Sequence, residues 1–274
     1  MALKPLTARA LGASGLRVSP LGLGTVKFGR NQGIKYPKDF SLPDDRAIDR
    51  LLDRAAALGV TLLDTAPAYG TSEARLGQAL SGRCDNWVIA TKAGEEFADG
   101  RSRFDFTAAA IEASVRRSLK RLKTDCLDIV LIHSDGIDES EARFGAALRA
   151  LDSLKRAGAI RASGFSGKTA AGFAMALPMV DVLMVSFNRE DQEMRPTIRA
   201  AYRAGKGVLV KKPLGSGHLV ADGAALDQAM AAVFSEPGVG AAIVGTLDPD
   251  HLAADALAVA RALGEAPEMA APEA

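Results

Sequence analysis

The chain has little cysteine, few aromatic residues and almost no net charge. Its 274 residues include two cysteines and 5% aromatic residues, and 34 basic side chains against 33 acidic ones leave a formal net charge of +1. Cys84 and Cys126 are too few and too far apart to indicate a disulfide framework, so we expect buried thiols in a reducing compartment. The charge balance argues against a nucleic-acid or membrane-surface partner attracted by bulk electrostatics.

Long apolar runs are also lacking. No stretch reaches the roughly 20 apolar residues that span a membrane, and residues 1–19 lack the apolar core of a signal peptide. We therefore expect a cytoplasmic protein without a membrane partner. No cluster of Cys, His or carboxylate ligands indicates a metal site. The oligomeric state is not indicated by any pattern.

What the chain does have is a regular alternation of short apolar runs and longer amphipathic stretches. Eight runs have the length and apolar character of parallel strands covered on both faces. They are residues 18–25, 61–65, 87–92, 127–133, 160–166, 182–188, 207–213 and 241–246. Helical patterns follow them, and several end at a glycine just before the next strand. Eight such units predict a closed (β/α)₈ TIM barrel rather than an open doubly wound sheet, which usually has fewer strands.

The two ends of the chain fall outside this repeat. Residues 7–19, with the turn residues 12–15, predict an N-terminal β-hairpin that closes the bottom of the barrel. Residues 1–264 are predicted to form a single barrel domain, and residues 265–274, rich in Ala, Pro and Glu, a flexible tail. We expect so short a tail to leave the pocket open. The long segment 27–43 is expected as a loop at the rim, in contact with substrate or cofactor.

Four side chains follow three consecutive strands of the predicted barrel. Asp64, Lys92 and His133 stand at or just past strand ends, and Tyr69 lies on the loop after Asp64. Active sites of such barrels lie at the carboxyl ends of the strands, so these groups are expected to meet. Asp64 would offset the desolvation of the Lys92 ammonium, which stabilises a phenolate, while His133 orients a carbonyl oxygen. Together they predict a metal-free site that protonates an oxygen as negative charge develops on it.

Taken singly, each of the four has a plain structural interpretation. Asp64 could cap a strand end, Tyr69 could pack at the rim, Lys92 could be a surface charge and His133 a satisfied buried histidine. Their joint arrangement on consecutive strand ends favours catalysis.

The order and spacing of the motifs resemble the aldo-keto reductase superfamily over nearly the whole chain. The matching segments are residues 22–25, 64–70 with Glu73, Leu76 and Gly77, then 90–92, 127–133, 164–166, 213–217 and 245–246. The resemblance implies an oxidoreductase that transfers hydride from a nicotinamide cofactor. It also implies that Tyr69 is the proton donor, assisted by Asp64, Lys92 and His133.

The same resemblance implies which residues bind the cofactor across the barrel mouth. They are Gly24, Thr25, Ser166, Gly167, Lys211, Pro213, Leu214, Gly215, Ser216 and Gly217, with Gly245, Thr246, His251 and Asp255 at the adenosine end. Glycine backbones and a helix N-terminus suit phosphate oxygens there, because backbone amides can approach them closely.

Several positions depart from the family pattern. Gly167 and Met184 stand where the family usually has the Asn and Gln that bind the carboxamide of the nicotinamide. Lys211 stands where an aromatic residue commonly stacks on the nicotinamide, and Lys212 where a serine is frequent. Both lysines are as consistent with an anion site as with ordinary rim charge.

The last strand-to-helix turn departs as well. NADPH is the family default, but Asp248, Asp250 and Asp255 would repel its 2′-phosphate, and only His251 would offset them. NADH is therefore the alternative cofactor.

The leading hypothesis is an NAD(P)H-dependent reductase of a small aldehyde or ketone. The altered cofactor positions motivate an alternative, a nucleotide-binding sensor or accessory subunit that keeps this fold and turns over slowly. A third hypothesis is a lyase in which Lys92 forms a Schiff base. The rim loops hold no motif that identifies the substrate, although lysines 27, 35, 38, 211 and 212 weakly indicate an anionic carbonyl compound.

Overall fold

The computed structural model describes residues 4–33, 40–219 and 222–265, in which a short N-terminal hairpin precedes a closed barrel of eight parallel strands. The hairpin strands are β1 (Arg9–Ala10) and β2 (Arg17–Val18). The barrel begins with β3 (Leu21–Gly24), β4 (Leu62–Asp64) and β5 (Val88–Ala93), and a second hairpin follows, β6 (Glu95–Ala98) and β7 (Arg101–Phe104). The barrel continues with β8 (Leu127–His133), β9 (Ile160–Ser166), β10 (Val182–Ser186), β11 (Gly207–Lys211) and β12 (Val239–Val244), which pairs with β3. The predicted TIM barrel is confirmed, because each predicted run overlaps one barrel strand.

Helices follow the barrel strands and cover the outside of the barrel. They are α1 (Val26–Gly29), α2 (Asp45–Ala57), α3 (Ser72–Ala79), α4 (Ala108–Leu122), α5 (Glu141–Arg156), α6 (Ala170–Ala176), α7 (Arg195–Arg203), α8 (Gly223–Phe234) and α9 (Pro249–Ala262). Asp44 and Thr107 cap α2 and α4 by accepting from backbone amides of the first turn, as such side chains prefer to do. Gly59 and Gly158 adopt the left-handed conformation just past helix ends, as predicted from the sequence.

The N-terminal hairpin closes the bottom of the barrel, as predicted. Leu11, Leu16 and Val18 pack into the apolar cluster inside the barrel. The turn at Gly12 approaches β11 so closely that a Cβ there would lie 2.5 Å from the Gly207 nitrogen, which explains the glycine. With the bottom filled, the opposite rim is the side that carries the ends of the strands with the candidate side chains.

The second hairpin was not predicted. Residues of β6 and β7 are only partly buried or exposed, and they lack the apolar character that marks the barrel strands. The hairpin directly follows β5 and packs against the turn that carries Tyr69. It therefore adds a wall to the rim that the sequence pattern did not reveal.

The structure bears on three other expectations. Cys84 and Cys126 are partly exposed rather than buried. The segment expected as a loop at residues 27–43 begins within α1, and its residues 34–39 lie outside the described part of the chain, as do tail residues 266–274. None of the helices in the described ranges is long and apolar enough to cross a membrane.

Candidate active site

The four candidate catalytic side chains meet at the carboxyl end of the barrel. Asp64, Lys92 and His133 lie at the ends of β4, β5 and β8, which are neighbours in the barrel. Tyr69 ends a short 3₁₀ turn that begins at Pro67. Gly70 then turns the chain with φ of 63°, and a Cβ there would lie 2.2 Å from the Gly29 carbonyl oxygen. Only glycine fits this turn, which holds the tyrosine over the strand ends.

A buried ion pair lies at the centre of this group. The Lys92 Nζ atom donates to Asp64 Oδ1 at 2.6 Å, to the Thr65 carbonyl at 3.0 Å and to the Tyr69 hydroxyl at 3.2 Å. The side chains of Lys92 and Asp64 are 2% and 6% exposed. All three ammonium hydrogens thus have acceptors, and one of them points at the phenol. An ammonium held in this way is a poor nucleophile, which argues against a Schiff base at Lys92.

His133 faces the same phenol from β8. Its ring stands perpendicular to the Tyr69 ring, with the centroids 6.5 Å apart. Burial lowers the pKa of His133 below its ordinary value of 6.5, although Glu95 acts in the opposite direction. The imidazole is therefore poised to be neutral at neutral pH and to gain a proton in acid.

Glu95 is a site residue that the sequence reasoning missed. Its Oε2 atom lies 2.8 Å from His133 Nδ1, and Oε1 accepts from Ser102 at 2.6 Å. Burial acts to raise the pKa of Glu95, but the His133 and Ser102 contacts and the charge of Arg30 outweigh it and hold the pKa below its usual range. The only signal in the sequence was a carboxylate three residues past Lys92.

Two further polar groups hold the strand ends in place. Thr25, predicted to contact the cofactor, is fully buried, and its hydroxyl donates to the Asp64 carbonyl at 2.9 Å and contacts Ser72 Oγ at 2.8 Å. These contacts brace the Asp64 loop, and a contact of Thr25 with the cofactor stays a prediction. Glu73 is also fully buried and accepts from Thr91, the neighbour of Lys92, and from Arg121.

A cleft of about 730 Å³ opens beside the cluster, between the loop after β11 and α9. It is lined by eight of the residues predicted to bind the cofactor, namely Pro213, Leu214, Ser216, Gly217, Gly245, Thr246, His251 and Asp255. Lys27 and Lys212 add two cations to its wall. Gly24, Thr25, Ser166, Gly167, Lys211 and Gly215 do not line it. The volume lies within the range of small-molecule sites.

Lys211 instead reaches inward from the end of β11. Its Nζ atom lies 2.9 Å from the Gly167 carbonyl oxygen and 3.1 Å from Ser166 Oγ. Ser166 ends β9, where it is the register partner of His133. Burial, with the charges of Lys212, Lys92 and Lys168, lowers the pKa of Lys211 to about 7. The amine therefore lies at the rim beside the end of β9, the strand that pairs with the one carrying His133.

The N-terminus of α9, where phosphate binding is predicted, is capped by a side chain of the chain itself. Asp248 caps it by accepting from the backbone amides of Asp250 and His251, so an anion is already bound to these amides. His251 is an exposed side chain whose Nε2 lies 3.8 Å from Asp248. Asp255 is 6% exposed, and burial raises its pKa to about 7. This side of the cleft therefore carries several carboxyl groups, and phosphate binding here stays a prediction.

The chain is similar to known oxidoreductases in sequence and in structure. The model of the aldo/keto reductase family matches residues 20–232. The uncharacterized oxidoreductase YqkF of Bacillus subtilis (strain 168) is 31% identical over 75% of this chain and 67% of its own length. L-galactose dehydrogenase of Arabidopsis thaliana is 30% identical over 78% of this chain and 67% of its own length. A crystal structure from Pseudomonas aeruginosa, assigned to the aldo-keto reductases, has a TM-score of 0.85 and 50% identity over 93% of this chain and 95% of its own.

Proposed function

Because the chain belongs to the aldo/keto reductase family, we propose that it is an NAD(P)H-dependent reductase that converts a small aldehyde or ketone to an alcohol. The observation that carries the proposal is the buried hydrogen-bonded group of Asp64, Lys92 and Tyr69 beside His133. Such a group has a proton to give, a cation to stabilise the anion left behind, and a second polar ring to orient the substrate.

Each side chain has a separate task in this proposal. The Tyr69 hydroxyl donates its proton to the carbonyl oxygen as negative charge develops on it. Lys92, 3.2 Å from the phenol oxygen, stabilises the phenolate, and Asp64 keeps the ammonium charged and in place. His133 orients the carbonyl oxygen toward Tyr69, which fixes the reacting geometry.

The cleft fits a nicotinamide dinucleotide as the missing reductant. A reduced nicotinamide would supply hydride to the carbonyl carbon. Lys27 and Lys212 lie on the cleft wall, where their charges suit a pyrophosphate, and Asp255 offers a buried carboxyl group to a nucleoside. Asp248 occupies the amides of α9 that would otherwise suit a 2′-phosphate. These contacts favour NADH over NADPH.

The substrate is proposed only as a class. One relative is a dehydrogenase of L-galactose, and a second, from a Pseudomonas species, is D-threo-aldose 1-dehydrogenase, 28% identical over 65% of this chain and 59% of its own length. From these names we propose that a substrate screen should include a small hydroxylated aldehyde or, for the reverse direction, the corresponding alcohol. The cofactor ratio would set the direction of the reaction.

The Tyr69→Phe substitution tests the proposed mechanism. It removes the proton donor while keeping the ring, so we expect kcat for carbonyl reduction to fall about 1,000-fold while NADH affinity stays unchanged. Tyr202→Phe is the matched control, because Tyr202 is an exposed tyrosine on α7. Undiminished reduction in Tyr69→Phe would contradict the assigned mechanism.

Separate calorimetric titrations with NADH and NADPH test the cofactor. Tighter binding of NADH supports the preference argued from Asp248 and Asp255, and tighter binding of NADPH contradicts it. Tight binding of either nucleotide, combined with very slow turnover of every carbonyl tested, would favour the sensor or accessory function instead.

A further inference from the structure

Lys211 is a cation directed into the site without a counter-ion. Among the residues that the structure describes, its amine donates to the Gly167 carbonyl and to Ser166 Oγ. Within the described ranges no carboxylate forms an ion pair with it. The charges of lysines 92, 168 and 212 disfavour its protonated form, and the charge of Glu139 favours it. Glu139 is itself occupied by the amides of Lys168 and Thr169. An unpaired buried amine costs stability, so a ligand that uses it is the natural explanation.

The side chains around Gly167 leave no room for a Cβ atom at that position. A Cβ on Gly167 would lie 2.5 Å from the Phe165 ring and 3.3 Å from Glu139 Oε1. Met184, the other position where an amide side chain was expected, is buried in the apolar cluster inside the barrel. Neither residue can present an amide to a ligand at this rim.

The Lys211 group is complementary to a primary carboxamide. A carboxamide has one oxygen that accepts and one nitrogen that donates two hydrogens. The Lys211 ammonium donates, and the Gly167 carbonyl and Ser166 Oγ accept. Because Ser166 is the register partner of His133, this group adjoins the place where the substrate carbonyl is oriented. A hydride donor must come within about 3.5 Å of that carbonyl carbon.

We propose that Lys211, with Ser166 Oγ and the Gly167 carbonyl, binds the carboxamide of the nicotinamide and so replaces the two absent amide side chains. The inference rests on the proposed use of a nicotinamide cofactor. It assigns to Lys211 the orientation of the nicotinamide ring rather than a general attraction for the phosphates.

Binding of NADH and of ADP-ribose, which lacks the nicotinamide, separates these two roles. In Lys211→Met we expect NADH affinity to fall roughly 10- to 100-fold, the usual effect of losing a hydrogen bond from a charged donor. ADP-ribose affinity should change less than about twofold, since no carboxamide is present. Lys206→Met is the matched control, because it removes the same charge just before β11, at the opposite end from the site, and should leave both affinities unchanged. Calorimetry measures the affinities of the wild-type protein and of both variants without any turnover.

The outcomes distinguish the inference from the proposed function. An equal loss for NADH and ADP-ribose, or no loss for either, overturns the role of Lys211. Wild-type protein that binds ADP-ribose as tightly as NADH overturns it too, because the nicotinamide then contributes nothing. Wild-type protein that binds neither ligand overturns the proposed function and the inference together. ADP-ribose binding by the variant shows that the cleft is folded.

The wild-type protein gives a second measurement that needs no variant. The ratio of NADH affinity to ADP-ribose affinity should fall as pH rises through about 7, because the Lys211 ammonium becomes a weaker donor as an amine. Asp255, with a pKa also raised to about 7, lies where the adenosine half common to both ligands is expected to bind, so its effect cancels in the ratio. The charged or titratable groups that act with Lys211 are Lys92, His133, Glu139, Lys168 and Lys212. A ratio that stays constant from pH 6 to pH 9 contradicts the proposal.

Discussion

The two halves of the candidate site differ in whether their buried charged groups have partners of opposite charge. On the catalytic half, Asp64 and Lys92 are both nearly inaccessible to solvent but contact each other at 2.6 Å. On the cofactor-facing half, Asp255 is buried and Lys211 is half-buried, and within the described ranges neither is paired with an opposite charge; their pKa values move from both directions to about 7. A buried pair keeps its charges, whereas a buried single group adjusts its protonation instead.

This difference indicates different kinds of task. The catalytic half needs a fixed ammonium beside the phenol in every turnover, so its partner is built into the fold. The cofactor-facing half needs groups whose partners arrive with a ligand. We therefore expect that removing a buried charge from the catalytic half lowers the free energy of unfolding, and that removing one from the cofactor-facing half raises it.

Breaking the catalytic pair should have the largest effect. Lys92→Met leaves the Asp64 carboxylate buried without a cation, so we expect the free energy of unfolding to fall by about 3–5 kcal/mol, together with loss of turnover. Adding Asp64→Asn should restore most of the stability but none of the activity. Urea unfolding measures the first effect, and a kinetic assay the second.

The control for this prediction is an ion pair at the surface with the same nitrogen–oxygen distance. Lys155 contacts Asp181 at 2.6 Å, but the two side chains are 38% and 22% exposed. Lys155→Met should therefore cost less than about 1 kcal/mol. Equal losses for Lys92→Met and Lys155→Met would show that burial does not distinguish the two pairs.

Asp255→Asn should raise the free energy of unfolding, by less than Lys92→Met lowers it. Because the folded carboxyl group titrates near 7 rather than at its ordinary 3.8, native protein loses stability as pH rises between these values, and the penalty is complete above 7. The full shift corresponds to roughly 4 kcal/mol, and water in the open cleft should reduce it to about 2 kcal/mol. The variant should thus be more stable than wild type at pH 8 and no more stable at pH 4.

Thermal unfolding at the two pH values measures this gain. Asp250→Asn is the matched control, because Asp250 is an exposed aspartate on the first turn of the same helix. A gain of Asp255→Asn at pH 4 that equals its gain at pH 8 would show that the carboxyl group does not titrate between them.

The sequence allowed prediction of the barrel and of the meeting of the four candidate catalytic residues, for a physical reason. Parallel strands buried on both faces leave long apolar runs, and a closed barrel brings all their carboxyl ends to one rim. Asp64, Lys92 and His133 could therefore be placed together from position alone. Their proposed roles rest on the family pattern and on the hydrogen bonds described above.

The cofactor-facing half was less predictable, because its geometry depends on contacts across the rim. Lys211 and Ser166 are 45 residues apart in the chain, and nothing local indicates that one reaches the other. The cap by Asp248 agrees with helix-end preferences but was not predicted, and it lies at the turn where phosphate binding was predicted. Glu95 lies on a polar hairpin that carries no apolar periodicity.

Glu95→Gln is the smallest predicted effect and tests a contact that joins this hairpin to the catalytic half. The substitution keeps the size of the side chain but removes the charge beside His133, so it should lower the pKa of His133 further. If the imidazolium orients the carbonyl oxygen best, wild-type kcat rises as pH falls through the His133 pKa, below 6.5. In Glu95→Gln that rise should move to lower pH, leaving kcat about 10-fold lower at pH 6.

Profiles of kcat from pH 5 to pH 9 for the two proteins measure this shift. Glu112→Gln is the matched control, because the Glu112 side chain on α4 is 43% exposed and forms an ion pair with Arg116 at 3.7 Å, away from the site. A uniform loss of kcat without movement of the midpoint would mean that Glu95 supports the hairpin only. A displaced midpoint would mean that the hairpin sets the charge of His133, so that the catalytic half depends on a rim element that could vary independently of the barrel.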